Sequence, residues 1–272
     1  MILMVASKKD EASLNISRQM IERHGFKRKF KRFMGNPVYS REMPNGETAE
    51  LIFIDQEPIN SQGLPFPESA GLLIFLSRHK SESGRPTLSV HTPGNLGEAH
   101  LGGIPRAVSI SPASAMKEAL LAMRRAQEEM DLRYDVSYEC THHGPSLMMP
   151  AMFVELGSSP DQWRDADAAE AVARGALAAA SAERVYPTVI GIGGPHYNSK
   201  FTSKALTTEV AFGHIIPKYA IKGLDERVLR QCIERTVEPV DRAVLDWKGI
   251  KGADRRILLA MLDELGLNYE KI

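Results

Sequence analysis

Apolar residues in this chain fall into short blocks separated by longer amphipathic segments. Met1–Ala6 is apolar throughout, as a strand covered on both faces requires. Ala49–Asp55 (AELIFID) and Gly71–Ser77 (GLLIFLS) are blocks of the same kind. Thr87–His91, Tyr134–Glu139, Met152–Leu156, Val185–Ile192 and Ala211–Ile216 continue the series of predicted strands. Helical periodicity fills the gaps. Asp10–His24 reads as a helix closed by Gly25 at a C′ position. A second helix opens at Ser111-Pro112 and runs to about Met130, with the proline near its first turn. Pro160–Glu183 reads as one long Ala-rich helix. Its acids Asp161, Asp165 and Asp167 lie early, where the helix dipole favours them. Asp225–Thr236 and Ala253–Leu265 read as two closing helices. Gln56–Ser69, with Pro58, Pro65 and Pro67, reads as a loop.

This alternation of strand and helix predicts an α/β fold, a three-layer α/β/α sandwich on a mixed, mostly parallel sheet. No repeat or flexible linker interrupts it. The expectation is a single domain over residues 1–272, with an inserted lobe around residues 26–70. The chain's 272 residues, 43% of them hydrophobic, are enough for a sizeable core.

Charge narrows the partners. Lys+Arg and Asp+Glu both total 34, so a nucleic acid would have to be held by a local basic patch. The densest is Lys27-Arg28-Lys29-Phe30-Lys31-Arg32-Phe33, interleaved with aromatics from Phe26 onward. It suits phosphate contact with stacking. The more common reading of such a run is a solvated edge strand whose lysines block edge-to-edge pairing. Two cysteines, Cys140 and Cys232, are too few for a disulfide framework and fit a reducing compartment. The opening apolar run is cut short by Lys8, Lys9 and Asp10, too soon for a signal peptide or a membrane span. A cytoplasmic protein, a monomer with no membrane partner, is expected.

The candidate chemistry lies where strands end in Gly/Pro turns bearing histidine. Imidazole exchanges protons near neutral pH and ligates metals. Three such turns are His91-Thr92-Pro93-Gly94-Asn95, Thr141-His142-His143-Gly144-Pro145 and Gly193-Gly194-Pro195-His196-Tyr197. Ligands of open α/β sheets collect at the carboxyl ends of strands, so these turns predict one site at one sheet edge. His142 and His143 are open to metal ligation, general-base work, or one role each. Adjacent side chains on extended backbone point opposite ways, so both serve one centre only if the turn bends them together. Glu155, inside an apolar run, is open to ligating metal, acting as base or orienting a histidine, or else faces water from an edge strand. Glu139 has the same choices, with the water-facing one the stronger. His91 and His196 either help bind an anion or oxyanion through their turns or merely cap them. Cys140, beside the histidines, reads as a packing thiol before a nucleophile. His214 is a weaker candidate, His100 lies in a glycine-rich loop, and His24 and His79 read as surface or capping residues. No His-Glu-x-x-His or Cys-x-x-Cys signature is present, so a metal site would be assembled from separate loops.

Together, Tyr138–Pro145, His91–Asn95, Phe153-Val154-Glu155-Leu156-Gly157-Ser158 and Gly193–Tyr197 resemble the archaeal and plant type of D-aminoacyl-tRNA deacylase. The resemblance extends over essentially the whole chain. It implies hydrolysis of the ester between a D-amino acid and the 3′-terminal adenosine of tRNA, zinc dependence, and a core similar to peptidyl-tRNA hydrolase and phosphorylase/hydrolase-like folds. It places His91, His142, His143, His196 and Glu155 in the family's motifs. The expected catalytic set is His142, His143, Glu155 and His196, and the candidate zinc (Zn2+) ligands are His142, His143, Glu155 and His91. His91, Asn95, Gly144, Gly194 and Tyr197 would meet substrate, and Lys27, Arg28 and Lys29 would meet tRNA phosphates. Two rival readings use the same residues. One is a metal-dependent amidohydrolase or carboxypeptidase-like enzyme on a small N-acyl substrate; the other is a non-enzymatic tRNA-binding module.

Overall fold

The apolar blocks pair side by side as strands. In the computed structural model, which describes residues 1–82 and 84–272, the elements begin with β1 (Ile2–Ser7), α1 (Glu11–Arg23), β2 (Lys27–Phe33), β3 (Asn36–Glu42), β4 (Thr48–Ile54) and β5 (Leu72–Lys80). Then come β6 (Thr87–His91), the short β7 (Gly94–Asn95) and β8 (Ala107–Val108), α2 (Ala113–Glu129), β9 (Asp135–Tyr138) and β10 (Ala151–Ser158). The rest is α3 (Pro160–Arg164), α4 (Ala166–Ala180), β11 (Thr188–Ile192), α5 (Ser199–Thr207), β12 (Ala211–Ile216), α6 (Glu226–Glu234), β13 (Val240–Leu245), α7 (Gly252–Glu264) and β14 (Tyr269–Lys271).

An eight-stranded sheet has the order β2-β3-β4-β1-β5-β10-β6-β9. Its centre is parallel from β4 through β1 and β5 to β10, β6 runs antiparallel to β10, and the β2–β3–β4 edge is antiparallel. The predicted mixed, mostly parallel sheet is therefore present, and a second, wholly parallel sheet, β12-β11-β13-β14, stands beside it.

Residue parity assigns the faces of the large sheet. Ile74 and Leu76 of β5, Leu88 and Val90 of β6, and Met152, Val154 and Leu156 of β10 share one core with residues of α1, α2 and α4. Leu73, Phe75, Ala151 and Phe153 point the other way, into a core closed by Leu64, Phe66, Leu147 and Met149. His79, Glu155 and His91 continue this second face. The polar residues of the site thus belong to the face opposite α1, α2 and α4.

Three expectations need correction. The long helix over 160–183 is two, because Asp165 adopts an extended conformation and its carboxylate accepts from the N–H groups of Asp167 and Ala168, capping α4 afresh. β11 starts at Thr188, after Pro187, whose missing N–H cannot join a ladder. α5, β13 and β14 were not foreseen. α5 is short and polar, and Asp241-Arg242 interrupts the apolar pattern of β13. No described helix is long and apolar enough to cross a membrane.

Candidate active site

The Thr-His-His-Gly-Pro segment is sewn between the two sheets. Cys140 N–H donates to the His196 carbonyl at 3.0 Å, and Thr141 N–H to Ile215 of β12 at 2.8 Å. Gly94 N–H donates to the His143 carbonyl at 2.6 Å, tying the segment to the turn after β6. His143 has φ +43°, outside extended geometry, so the two neighbouring imidazoles do not diverge. Their ring centroids lie 4.3 Å apart, and His91 lies 4.3 Å from His142 and 4.9 Å from His143. Gly144 is required where it stands: a Cβ there would come within 2.3 Å of Gly103 N, in the loop between β7 and β8.

Hydrogen bonds fix the ring states of His142 and His143. Nδ1 of His142 is 2.8 Å from the Cys140 carbonyl, and Nδ1 of His143 is 2.7 Å from the Gly144 carbonyl. A carbonyl only accepts, so both Nδ1 atoms carry hydrogen and both Nε2 atoms keep a lone pair. Burial, reinforced by the neighbouring imidazoles His143 and His91, holds His142 well below the usual histidine range. The same causes, burial and then His91, bring His143 down to about 4. Both nitrogens of His91 are buried and have no hydrogen-bond partner.

A second cluster adjoins the first and is charged. Glu139 Oε1 lies 3.1 Å from His79 Nδ1, and its Oε2 lies 2.8 Å from His196 Nε2. Glu155 Oε2 is 3.3 Å from His79 Nδ1 and 3.7 Å from His91 Nε2, the latter too long for a hydrogen bond. Burial opposes ionisation of all four groups, but their mutual attraction overcomes it. Against burial, the charge of Glu139 raises His79 to about 10, and hydrogen bonds to Cys140 and Glu139 raise His196 to about 10. Against burial too, the His79 and His196 contacts keep Glu139 well below the carboxylate range, and His79 with His91 brings Glu155 down to about 2. Tyr197 closes this cluster with its hydroxyl on His79 Nε2. Cys140 Sγ is 3.3 Å from both His196 Nδ1 and the Tyr219 hydroxyl.

Two sequence expectations are overturned here. His79 is a buried member of the site, not a surface or capping residue. It stands on β5 opposite Gly157, where a Cβ would approach His79 Cβ to 2.5 Å, so glycine makes its room. Glu139 does not face water; its side chain is fully buried. Glu155 is buried as well, on β10 between β5 and β6. Tyr219 carries no motif and was missed. His214 supports the site from behind, bonding Thr141 Oγ1 at 3.0 Å and the Arg235 carbonyl at 3.1 Å. Asn95 directs its amide to the Gly102 and Ile104 carbonyls and so shapes the loop over the site. Gly194, at φ +74°, leaves space for Asn198, whose Nδ2 would lie 2.3 Å from an added Cβ. His24 does cap, ending α1 with its ring 3.0 Å from Glu170. Lys27, Arg28 and Lys29 lie on the exposed edge strand β2, six strand spacings from β6 and roughly 29 Å away at ~4.8 Å per spacing.

A cleft of about 560 Å³ opens over the histidines, lined by the loop after β7, by His142, His143 and His196, and by Tyr219. Among the described residues, three groups have potential ligand atoms mutually within 4.8 Å: His91, His142 and His143; Cys140, His142 and His196; and His79, Glu139 and Glu155. The first consists of imidazoles alone and includes the unpartnered nitrogens of His91.

The D-aminoacyl-tRNA deacylase family profile matches residues 66–270. The D-aminoacyl-tRNA deacylase of Thermococcus onnurineus is 40% identical, covering 99% of each chain. That of Pyrococcus abyssi is 39% identical over the whole of both. The crystal structure of a conserved protein of unknown function, AF0625, superposes with a TM-score of 0.88 at 28% identity, covering 100% of this chain and 95% of that one. Sequence likeness of this extent shows that the chain belongs to the D-aminoacyl-tRNA deacylase family.

Proposed function

We propose that His91, His142 and His143 hold a zinc ion and that the cleft before them carries out the family's reaction. That reaction is hydrolysis of the ester of D-aminoacyl-tRNA, releasing a free D-amino acid and tRNA. The observation that carries the zinc reading is His91: two buried ring nitrogens without partners, beside two imidazoles whose Nε2 lone pairs are already fixed. Buried polar atoms left unpaired cost about 1–3 kcal/mol each, so such a pair calls for a ligand. Three histidines also match the open, catalytic type of zinc site. Zinc, when bound, supplies Lewis acidity toward the ester carbonyl and lowers the pKa of water.

The protein's own groups supply the rest. Cys140 and Gly144 carbonyls orient the two imidazoles through their Nδ1 hydrogens. Glu139 keeps His196 protonated at the cleft wall, where its positive charge stabilises the oxyanion that develops on the ester. Glu155, clasped by His79, presents a fixed negative charge behind His91. Lys27, Arg28 and Lys29 meet phosphates of the tRNA distant from the ester, which makes affinity salt-dependent.

The test is incubation with D- and L-aminoacyl-tRNA, with and without chelator. The D-ester is consumed, the L-ester is spared, chelation abolishes turnover and added zinc restores it. Equal rates on both enantiomers would contradict the chiral reading, and full activity of metal-free protein would contradict the zinc reading.

A further inference from the structure

A second, larger groove of about 900 Å³ adjoins the active-site cleft, and the two share His196 as a common wall. It runs from Tyr197 between α2, the start of β9 and α5. Its rim carries Arg85, Arg124 and Arg125, and α5 adds hydroxyls from Ser199, Ser203 and Thr207. Leu121, Val136 and Leu206 supply apolar surface. Arg85 pairs with Asp135 at 2.6 Å and Arg124 with Glu128 at 2.7 Å. These are solvent-exposed pairs of the kind that contribute little and exchange readily for another anion. Arg125 adds a third, exposed guanidinium.

We infer that this groove seats the single-stranded nucleotides preceding the tRNA's 3′-terminal adenosine. Arg124 and Arg125 meet their phosphates and the apolar surface meets their bases. The inference rests on the deacylase reading above and adds the substrate's path. Three facts point to this occupant. The groove and the cleft both border His196, so a strand whose ester lies in the cleft has the groove directly beside it. Its mix of cations, hydroxyls and apolar surface is that of a sequence-tolerant single-strand site. The other basic patch, on β2, is too distant to reach nucleotides next to the ester. Tyr197, at the junction, is placed to stack on a base as the strand turns from groove to cleft.

The experiment compares R124A/R125A with wild type on two substrates, D-aminoacyl-tRNA and D-aminoacyl-adenosine. Both positions are exposed on a helix and alanine is a strong helix former, so the fold persists. For tRNA, KM rises about tenfold and the log–log salt slope falls by roughly one unit. For D-aminoacyl-adenosine, which has no phosphate to lose, KM changes less than twofold. R18A/R23A, on α1, controls for net charge and moves neither KM. An unchanged tRNA KM, or an equal rise on both substrates, would overturn the groove assignment. Wild-type protein that fails to cleave D-aminoacyl-tRNA would instead overturn the underlying reading.

Discussion

His79 and His196 on one side, and His142 and His143 on the other, occupy neighbouring positions in one buried site, yet they are held in opposite states. The first two touch the carboxylates Glu139 and Glu155 at 2.8 to 3.3 Å and are cationic. The nearest carboxylate oxygens to His91 and His142 stand at 3.7 Å, beyond hydrogen-bond reach. Less than an ångström therefore separates a histidine in hydrogen-bond contact with a carboxylate from one out of its reach. Burial pushes His79, His196, His142 and His143 alike toward neutrality, and direct contact with Glu139, Glu155 or Cys140 reverses it for the first two. A single residue type thus serves two functions, a fixed positive charge and a ligand lone pair.

The sharpest way to break the comparison is to remove the neutral group. His142→Ala and His143→Ala should each lower kcat by roughly 10³-fold or more in steady-state deacylation, while His24→Ala leaves activity per folded molecule unchanged. If all three behave alike, the two groups are not distinct in function.

Glu139→Gln attacks the other half. It removes the carboxylate that keeps His79 and His196 charged, and activity should fall about 10- to 100-fold, with metal retained. Breaking a buried ion pair from one side costs about 3–5 kcal/mol, so its denaturation midpoint should fall as well. A midpoint equal to wild type would show that the charges are not paired as described.

The two halves also predict opposite pH limbs of stability in metal-free protein. His79 and His196 are raised to about 10, so their contribution is complete below the unfolded histidine pKa near 6.5 and disappears as pH rises toward 10. His143, lowered to about 4, loses stability as pH falls from about 6.5 to 4, and Glu155 adds a loss below about 4.3 as pH approaches 2. Stability should therefore peak near neutrality, measured by thermal melts. Glu139→Gln should flatten the alkaline limb and, because the depressed carboxylate goes with it, weaken the acid limb as well.

Smallest of all, Lys27→Glu with Lys29→Glu should raise KM for D-aminoacyl-tRNA a few-fold and weaken its salt dependence, without altering kcat. A salt slope identical to wild type would remove β2 from the tRNA contact.

Much of this contrast was legible in the residues. The turns at His91, His142/His143 and His196 do converge, and the strand-helix alternation does build the expected mixed, mostly parallel sheet. The charged half was harder to read. His79 looked peripheral because the apolar run of β5 ends at Leu76, but the strand continues to Lys80 and parity carries His79 onto the face of Phe75. Glu139 looked solvent-facing because burial of a carboxylate makes sense only once its partners, distant in sequence, are known. The adjacency of His142 and His143 was resolved by a positive φ at His143, a backbone state with no marker in a non-glycine residue.

The most direct measurement is zinc binding by chelator-stripped protein, wild type against His91→Ala, followed by deacylation before and after zinc is returned. Wild type should take up zinc stoichiometrically and regain D-aminoacyl-tRNA hydrolysis, while His91→Ala binds it far more weakly and stays inactive. Full hydrolysis by zinc-free wild type, or unaltered zinc affinity without His91, would contradict the division of the site into a ligand half and a charged half.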